Sequence, residues 1–209
     1  MSNRVYLYCT NFTRMPLKSE GSDFFASVGV EYEANARIPI YWLFLFGQKN
    51  IVITNPDDIN SDPDARPYAY LISDLPTALV RLKDRQRLVE SLRDSVRMDL
   101  FLDWTSRLRA ENFTHVIVKT EELSWFGEEE LTRNLNMSLA LLDRPATASE
   151  LYNSDEFQEL TGFLGTEKFC EMDSEEIVGR GGNWPLPLGV PKYYIELPKK
   201  KWWHFWRWL

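Results

Sequence analysis

Two histidines and two cysteines, with a scattered set of carboxylates, are what this chain of 209 residues offers for catalysis or metal binding. A Ser-His-Asp or Cys-His arrangement needs a base beside a nucleophile, and no Gly-x-Ser-x-Gly turn occurs. His115 falls within a strand-like run, on the same face as Phe113 and Ile117. It reads as a structural, hydrogen-bonded histidine. His204 lies among tryptophans, no two histidines have ligand spacing, and Cys9 is far from Cys170, so no zinc site and no other metal or cofactor is expected. Asp58-Ile59-Asn60-Ser61-Asp62-Pro63-Asp64 puts oxygens at alternate positions, as the first half of a calcium loop does. Pro63 stands where that loop turns on Gly, and Ala69 where it needs a bidentate Glu, so the segment reads as a solvated turn whose carboxylates suit a basic partner.

Three further groupings carry chemistry in principle. Glu121 and Glu122 follow the C-terminal end of a central strand, a common place for sites in sheet proteins. They are the acids on which a carboxylate-dependent hydrolase or transferase would rest. Gly179-Arg180-Gly181-Gly182 offers backbone N–H groups but lacks the Lys-Ser/Thr of a phosphate loop and reads as a surface turn. Arg81, Arg85, Arg87, Arg93 and Arg97 mark one side of a long helix, interleaved with Asp84, Glu90, Asp94, Asp99 and Asp103. Opposite charges three and four residues apart predict a self-neutralised, solvated face rather than a nucleic-acid site.

The elements that must hold these groups follow from periodicity. Residues 5–9, 51–54, 68–72, 113–119 and 193–197 read as strands, 113–119 with apolar residues on both faces as in a central strand. Residues 11–22 read as loop, and 23–46 as partly helical, with Pro39 at a helix start or kink and a later portion apolar on all sides. Ser73 or Asp74 caps a long helix with Pro76 in its first turn. Its apolar spacing runs from Leu75 to Leu108 with a break near residues 93–95. Glu128, Glu129 and Glu130 open another helix that buries Leu131, Leu135, Leu139 and Leu142, and residues 154–164 form a shorter one. The pattern predicts an α/β or α+β fold, a central mixed sheet with packed helices, as a single globular domain over residues 1–197. Residues 198–209 form a basic, Trp-rich tail.

The chain opens Met1-Ser2-Asn3-Arg4-Val5-Tyr6-Leu7-Tyr8 and continues with Arg37-Ile38-Pro39-Ile40-Tyr41-Trp42-Leu43-Phe44-Leu45-Phe46. These two segments resemble small bacterial proteins that begin with an Asn-Arg-x-Tyr-Leu-Tyr strand and pass through an acidic stretch into an Ile-Pro-x-x-Trp-x-x-Leu-Phe helix. Several of those look like immunity proteins that accompany secreted polymorphic toxins. The resemblance covers residues 1–50 and implies a non-catalytic protein that neutralises a cognate toxin domain by binding it.

A net charge of −7 fits a basic protein partner and argues against non-specific nucleic-acid binding. The expected contact surface is Glu20, Asp23, Glu31 and Glu33, with Asp57, Asp58, Asp62 and Asp64. The tail reverses the charge: residues 192–209 carry five basic side chains and one acid, with Trp202, Trp203, Trp206 and Trp208 as candidate contacts. Such a segment suits packing on the core, a protein hot spot or a membrane interface, and the first is favoured. The longest apolar run, residues 38–46, falls well short of the ~20 residues of a membrane-spanning helix, and no signal-peptide pattern opens the chain. A cytoplasmic protein with two reduced, buried thiols is therefore expected.

Overall fold

Alternation in Val5-Tyr6-Leu7-Tyr8-Cys9 sends three apolar side chains to one side of an extended chain and two tyrosines to the other. This segment is strand β1, Arg4–Thr10. In the computed structural model, which describes residues 3–29, 31–55, 57, 67–123 and 127–181, β1 joins β2 (Glu31–Asn35), β3 (Ile51–Ile53), β4 (Ala69–Asp74) and β5 (His115–Lys119). The five strands form one sheet in the order β2-β1-β5-β4-β3. Every pairing is antiparallel, so the fold is α+β and the sheet is not mixed. The expected strand at 193–197, the 197/198 boundary, Gly182 of the expected surface turn and the whole tail lie outside the described residues.

One face of the sheet is the core face. Leu7 stands opposite Tyr32 on β2 and Val118 on β5, and Val118 opposite Leu71 on β4. All four are buried. Against them pack α2 (Ile40–Leu43), α3 (Leu75–Ser91), α4 (Ser95–Ala110) and α5 (Glu128–Leu142). The run from Ile38 to Phe46 is buried throughout, as its apolar character on all sides predicts, although only one turn of it is helical. Shorter helices complete the layer: α6 (Ala148–Tyr152), α7 (Asp155–Thr161), α8 (Thr166–Phe169) and α9 (Ser174–Val178). α1 (Gly21–Ser27) precedes β2.

Three expectations are corrected. Residues 23–46 hold a strand between two helices: Glu31-Tyr32-Glu33-Ala34-Asn35 alternates with Tyr32 and Ala34 inward, which makes it β2. Cys170 is exposed while Cys9 is buried. It follows the one-turn helix α8 and hydrogen-bonds the Asp94 carboxylate, and burial followed by that bond raises its thiol pKa. Arg85 and Arg97, expected on a solvated face, are buried, because their guanidinium groups serve carbonyl oxygens of other segments.

The α3–α4 break falls where it is expected, at Arg93, whose φ of 54° lies in the left-handed region. Asp94 then caps α4 by accepting from the N–H groups of Val96 (2.9 Å) and Arg97 (3.1 Å), and its carboxylate lies 3.2 Å from the Arg97 guanidinium. Burial alone would raise the Asp94 carboxyl; these N–H groups, the Cys170 thiol and Arg97 outweigh it and hold it below its ordinary value of 3.8. A depressed folded-state value stabilises the fold above the unfolded pKa and ceases to do so as pH falls through the folded one. Asp94→Ala is therefore expected to cost about 1 kcal/mol near neutral pH. The gap between the urea midpoints of the two proteins should narrow as pH falls through the folded-state pKa of Asp94, and a gap that stays constant from neutral to acidic pH would mean that the carboxylate is not the cap.

Candidate functional site

The sheet's other face is built by the residues that alternate with the core. Glu33 on β2 stands opposite Tyr6 on β1, and Tyr6 opposite Lys119 on β5. One pair along, Glu31 stands opposite Tyr8, Tyr8 opposite Ile117, and Ile117 opposite Ile72. The segment before β2 covers the apolar half of this face. Met15 packs with Tyr70 and Ile117 and gives its N–H to the Tyr70 hydroxyl at 3.1 Å, while Phe24 of α1 meets the Tyr8 ring edge-on at 5.4 Å. What stays accessible is the charged end. Glu31 is exposed, and Tyr6, Glu33, Glu121 and Glu122 are half-buried.

Each cation at this end is engaged. Arg4 contacts the Glu33 carboxylate at 3.3 Å and shares a hydrogen bond with the Tyr6 hydroxyl. Lys119 is buried, with its Nζ 2.6 Å from Glu121 and 5.9 Å from the centre of the Tyr6 ring. Tyr6 and Tyr8 stack at 6.0 Å with an interplanar angle of 19°. Glu122 lies within electrostatic reach of Arg4, Tyr6 and Tyr8, and its Oε2 is buried without a hydrogen-bond partner among the described residues.

Four carboxylates share this end of the sheet with Arg4, Lys119 and Arg180, the antiparallel partner of Glu33 whose Nε lies 4.0 Å from Glu175, and negative charge shows in the titration of the neighbours. Desolvation of the Glu31 carboxyl, then the charge of Glu33, raise its pKa against the pull of Lys119. Burial, then the charge of Glu31, push the Tyr8 phenol up. Chemically, the arrangement can take a lysine or arginine side chain from outside: carboxylates meet the charge, and the half-buried Tyr6 ring, backed by the buried Tyr8, offers apolar surface to the alkyl stem.

Of the residues expected at a contact surface, Glu31 and Glu33 are brought together here. Glu20 is not available: it is bound by Arg14 at 2.8 Å and by the Leu17 N–H at 2.8 Å. Asp23 sits exposed in the first turn of α1, and Asp57 is exposed beside the loop. Asp58, Asp62 and Asp64, and the tail residues Trp202, Trp203, Trp206 and Trp208, lie outside the described residues. Glu121 and Glu122, singled out as acids for catalysis, fall on the same face as Glu31 and Glu33. Tyr6, Tyr8, Arg4 and Lys119 were not foreseen. The alternation of β1 points both tyrosines away from the core, which was the available signal. Among the described residues no cluster of three or more His, Cys, Asp or Glu could hold a metal ion, and no helix is long and apolar enough to cross a membrane. No family model matches the chain, and no curated protein or solved structure matches it.

Proposed function

We propose that this chain is a non-catalytic binding protein that captures a basic protein partner on the Glu31–Glu33–Tyr6 end of its sheet. The resemblance of its first segments to immunity proteins makes that partner a cognate bacterial toxin domain, neutralised by direct binding. One observation carries the reading: Glu31, Glu33, Glu121 and Glu122 gather at one end of a sheet face around a buried lysine, with Tyr6 half-buried among them. Clustered negative charge steers a basic partner to encounter, and the Tyr6 ring beside it supplies rigid apolar area. The test is capture of a partner from the native bacterium by the tagged protein, with the bound chain identified by mass spectrometry. Recovery of one basic toxin-like domain is expected. Reversing Glu31 and Glu33 together to Lys should weaken its binding by at least tenfold, or about 1.4 kcal/mol, with the thermal midpoint unchanged. Undiminished capture by that variant would remove this face from the mechanism.

A carboxylate-dependent hydrolase or transferase is the second reading, favoured by the unpartnered Glu122 oxygen. Glu122→Gln separates the two, because a general acid or base loses its proton chemistry in the amide, whereas a binding face with three other carboxylates keeps its partner. Capture and protection retained in Glu122→Gln fit the binding protein. Protection lost with capture intact fits the enzyme.

A further inference from the structure

The helix arginines that the sequence places on one solvated stripe are sorted by the fold into different places. Arg97 turns to the Met172 carbonyl. Arg81, Arg85 and Arg87 instead meet Arg144, just past the end of α5, around a cleft of about 450 Å³. Asp84 and Asp143 are the carboxylates in its wall, and Leu88 and Pro145 add apolar surface. Four guanidinium groups against two carboxylates make this a cationic cleft on a chain whose net charge is −7.

Arg85 is the fixed member. Nε, Nη1 and Nη2 are all spent on carbonyl oxygens and on Asp143, so it contributes charge but no spare donor. The other three retain donors. Arg81 uses only Nη1, toward Ser73 Oγ at 3.1 Å and the Leu45 carbonyl, which leaves Nε and Nη2 without hydrogen bonds among the described residues. Arg144 uses Nη1 on Glu150 at 2.6 Å and keeps its remaining edge. Arg87 is exposed and makes no hydrogen bond or ion pair among the described residues. The free guanidinium edges thus come from two different segments, α3 and the turn after α5.

We propose that this cleft binds a small phosphate-bearing molecule. A tetrahedral phosphate can accept from several guanidinium forks arriving in different directions, whereas one carboxylate plane matches one fork. The volume lies within the range of small-molecule sites and exceeds the needs of the phosphate alone. Asp84 then faces the rest of the ligand, where a hydroxyl group such as that of a sugar would donate to it, while Asp143 stays engaged with Arg85 and with the Gln48 N–H at 2.9 Å. The site is separate from the acidic sheet face, and its test does not depend on the partner assigned there.

The experiment is titration calorimetry of the full chain with inorganic phosphate and with AMP, repeated on Arg87→Ala and on Arg87→Ala/Arg144→Ala. Both substitutions are at exposed positions, so the thermal midpoint serves to confirm an unchanged fold. Saturable binding of either probe is expected, with a Kd on the order of 0.1–1 mM. The double variant should weaken it roughly tenfold or more, as expected when charge-assisted hydrogen bonds are removed. Neither probe binding up to about 10 mM, or binding that the double variant retains, overturns the proposal.

Discussion

Arg85→Met is expected to lower the stability of this protein by about 3–5 kcal/mol, the range for breaking a buried charged network by removing one partner. Helices end with carbonyl oxygens that have no partner within the helix and that carry the negative end of its dipole. Arg85 collects such groups from two places. Its Nη1 donates to Leu43, Phe44 and Phe46 at 3.2, 2.9 and 2.7 Å around the end of α2. Its Nε and Nη2 donate to Leu142 at the end of α5 at 3.1 and 3.0 Å, and Nη2 lies 3.2 Å from Asp143. One planar group therefore ties together the buried turn after α2, the end of α5 and the middle of α3. Burial pulls the guanidinium pKa down to about 10, with Asp143 acting against the shift, so the group stays charged at neutral pH. Met matches the stem in volume and leaves these carbonyls facing one another without a donor. Arg85→Lys keeps the charge but presents a single nitrogen on a flexible stem, and an intermediate loss is expected. Urea unfolding should show a lower midpoint at unchanged slope. The thermal midpoint should fall by roughly 10 °C, given about 2–4 °C per kcal/mol for chains of this size. A loss under about 1 kcal/mol for Arg85→Met would mean that water replaces the guanidinium at these oxygens with little penalty.

That network also shows where sequence reading stops. The strands at β1, β4 and β5, the Asp74 cap with Pro76 behind it, the Arg93 break and the burial of residues 38–46 are local patterns, each written within a few residues. They were legible for that reason. β2 was not: its alternation spans only Glu31–Asn35, and its partner Tyr6–Leu7 lies a helix and a loop away. The grouping of Glu33, Tyr6 and Lys119 depends on strand order, since Tyr6 meets Lys119 only once β5 is known to lie beside β1. Glu31 and Glu33 could thus be named as surface acids, and Glu121 and Glu122 as paired acids, without any sign that they share a face. The buried arginines failed for a related reason. A charged residue on a helix reads as solvated, and the carbonyls that draw Arg85 and Arg97 inward belong to segments distant in sequence.

The outer edge of β2, which carries Glu31 and Glu33, rests on one glycine, and replacing it is the second large effect expected. Gly179 adopts φ 69° and ψ 176°, a region closed to residues with a Cβ except under strain. An alanine Cβ there would lie 2.3 Å from Cζ2 of Trp42 and 3.1 Å from the Glu33 carbonyl oxygen. Neither neighbour can yield easily. Trp42 is fully buried and donates its indole N–H to the Val178 carbonyl at 2.8 Å. Glu33 exchanges backbone hydrogen bonds of 2.8 and 2.7 Å with Arg180, which closes the outer edge of β2. Backbone strain and overpacking each cost about 1–3 kcal/mol, so Gly179→Ala should lose roughly 3 kcal/mol. The loss should also be local in one respect. Hydrogen exchange at the Glu33 amide, which donates to Arg180, should quicken more than at Leu7 in the sheet interior, because relief of the clash moves residues 179–181 off the strand. Gly127→Ala is the control, since φ there is −62° and a Cβ would meet nothing within 4 Å. As the N-cap of α5 it should cost less than about 1 kcal/mol, since alanine is the poorer cap. If Gly179→Ala unfolds at the wild-type midpoint with the Glu33 amide still protected, the contact between residue 179 and Trp42 is slack. The bridge between Glu33 and Arg180 would then survive a side chain at residue 179, and strain at that position would not reach β2.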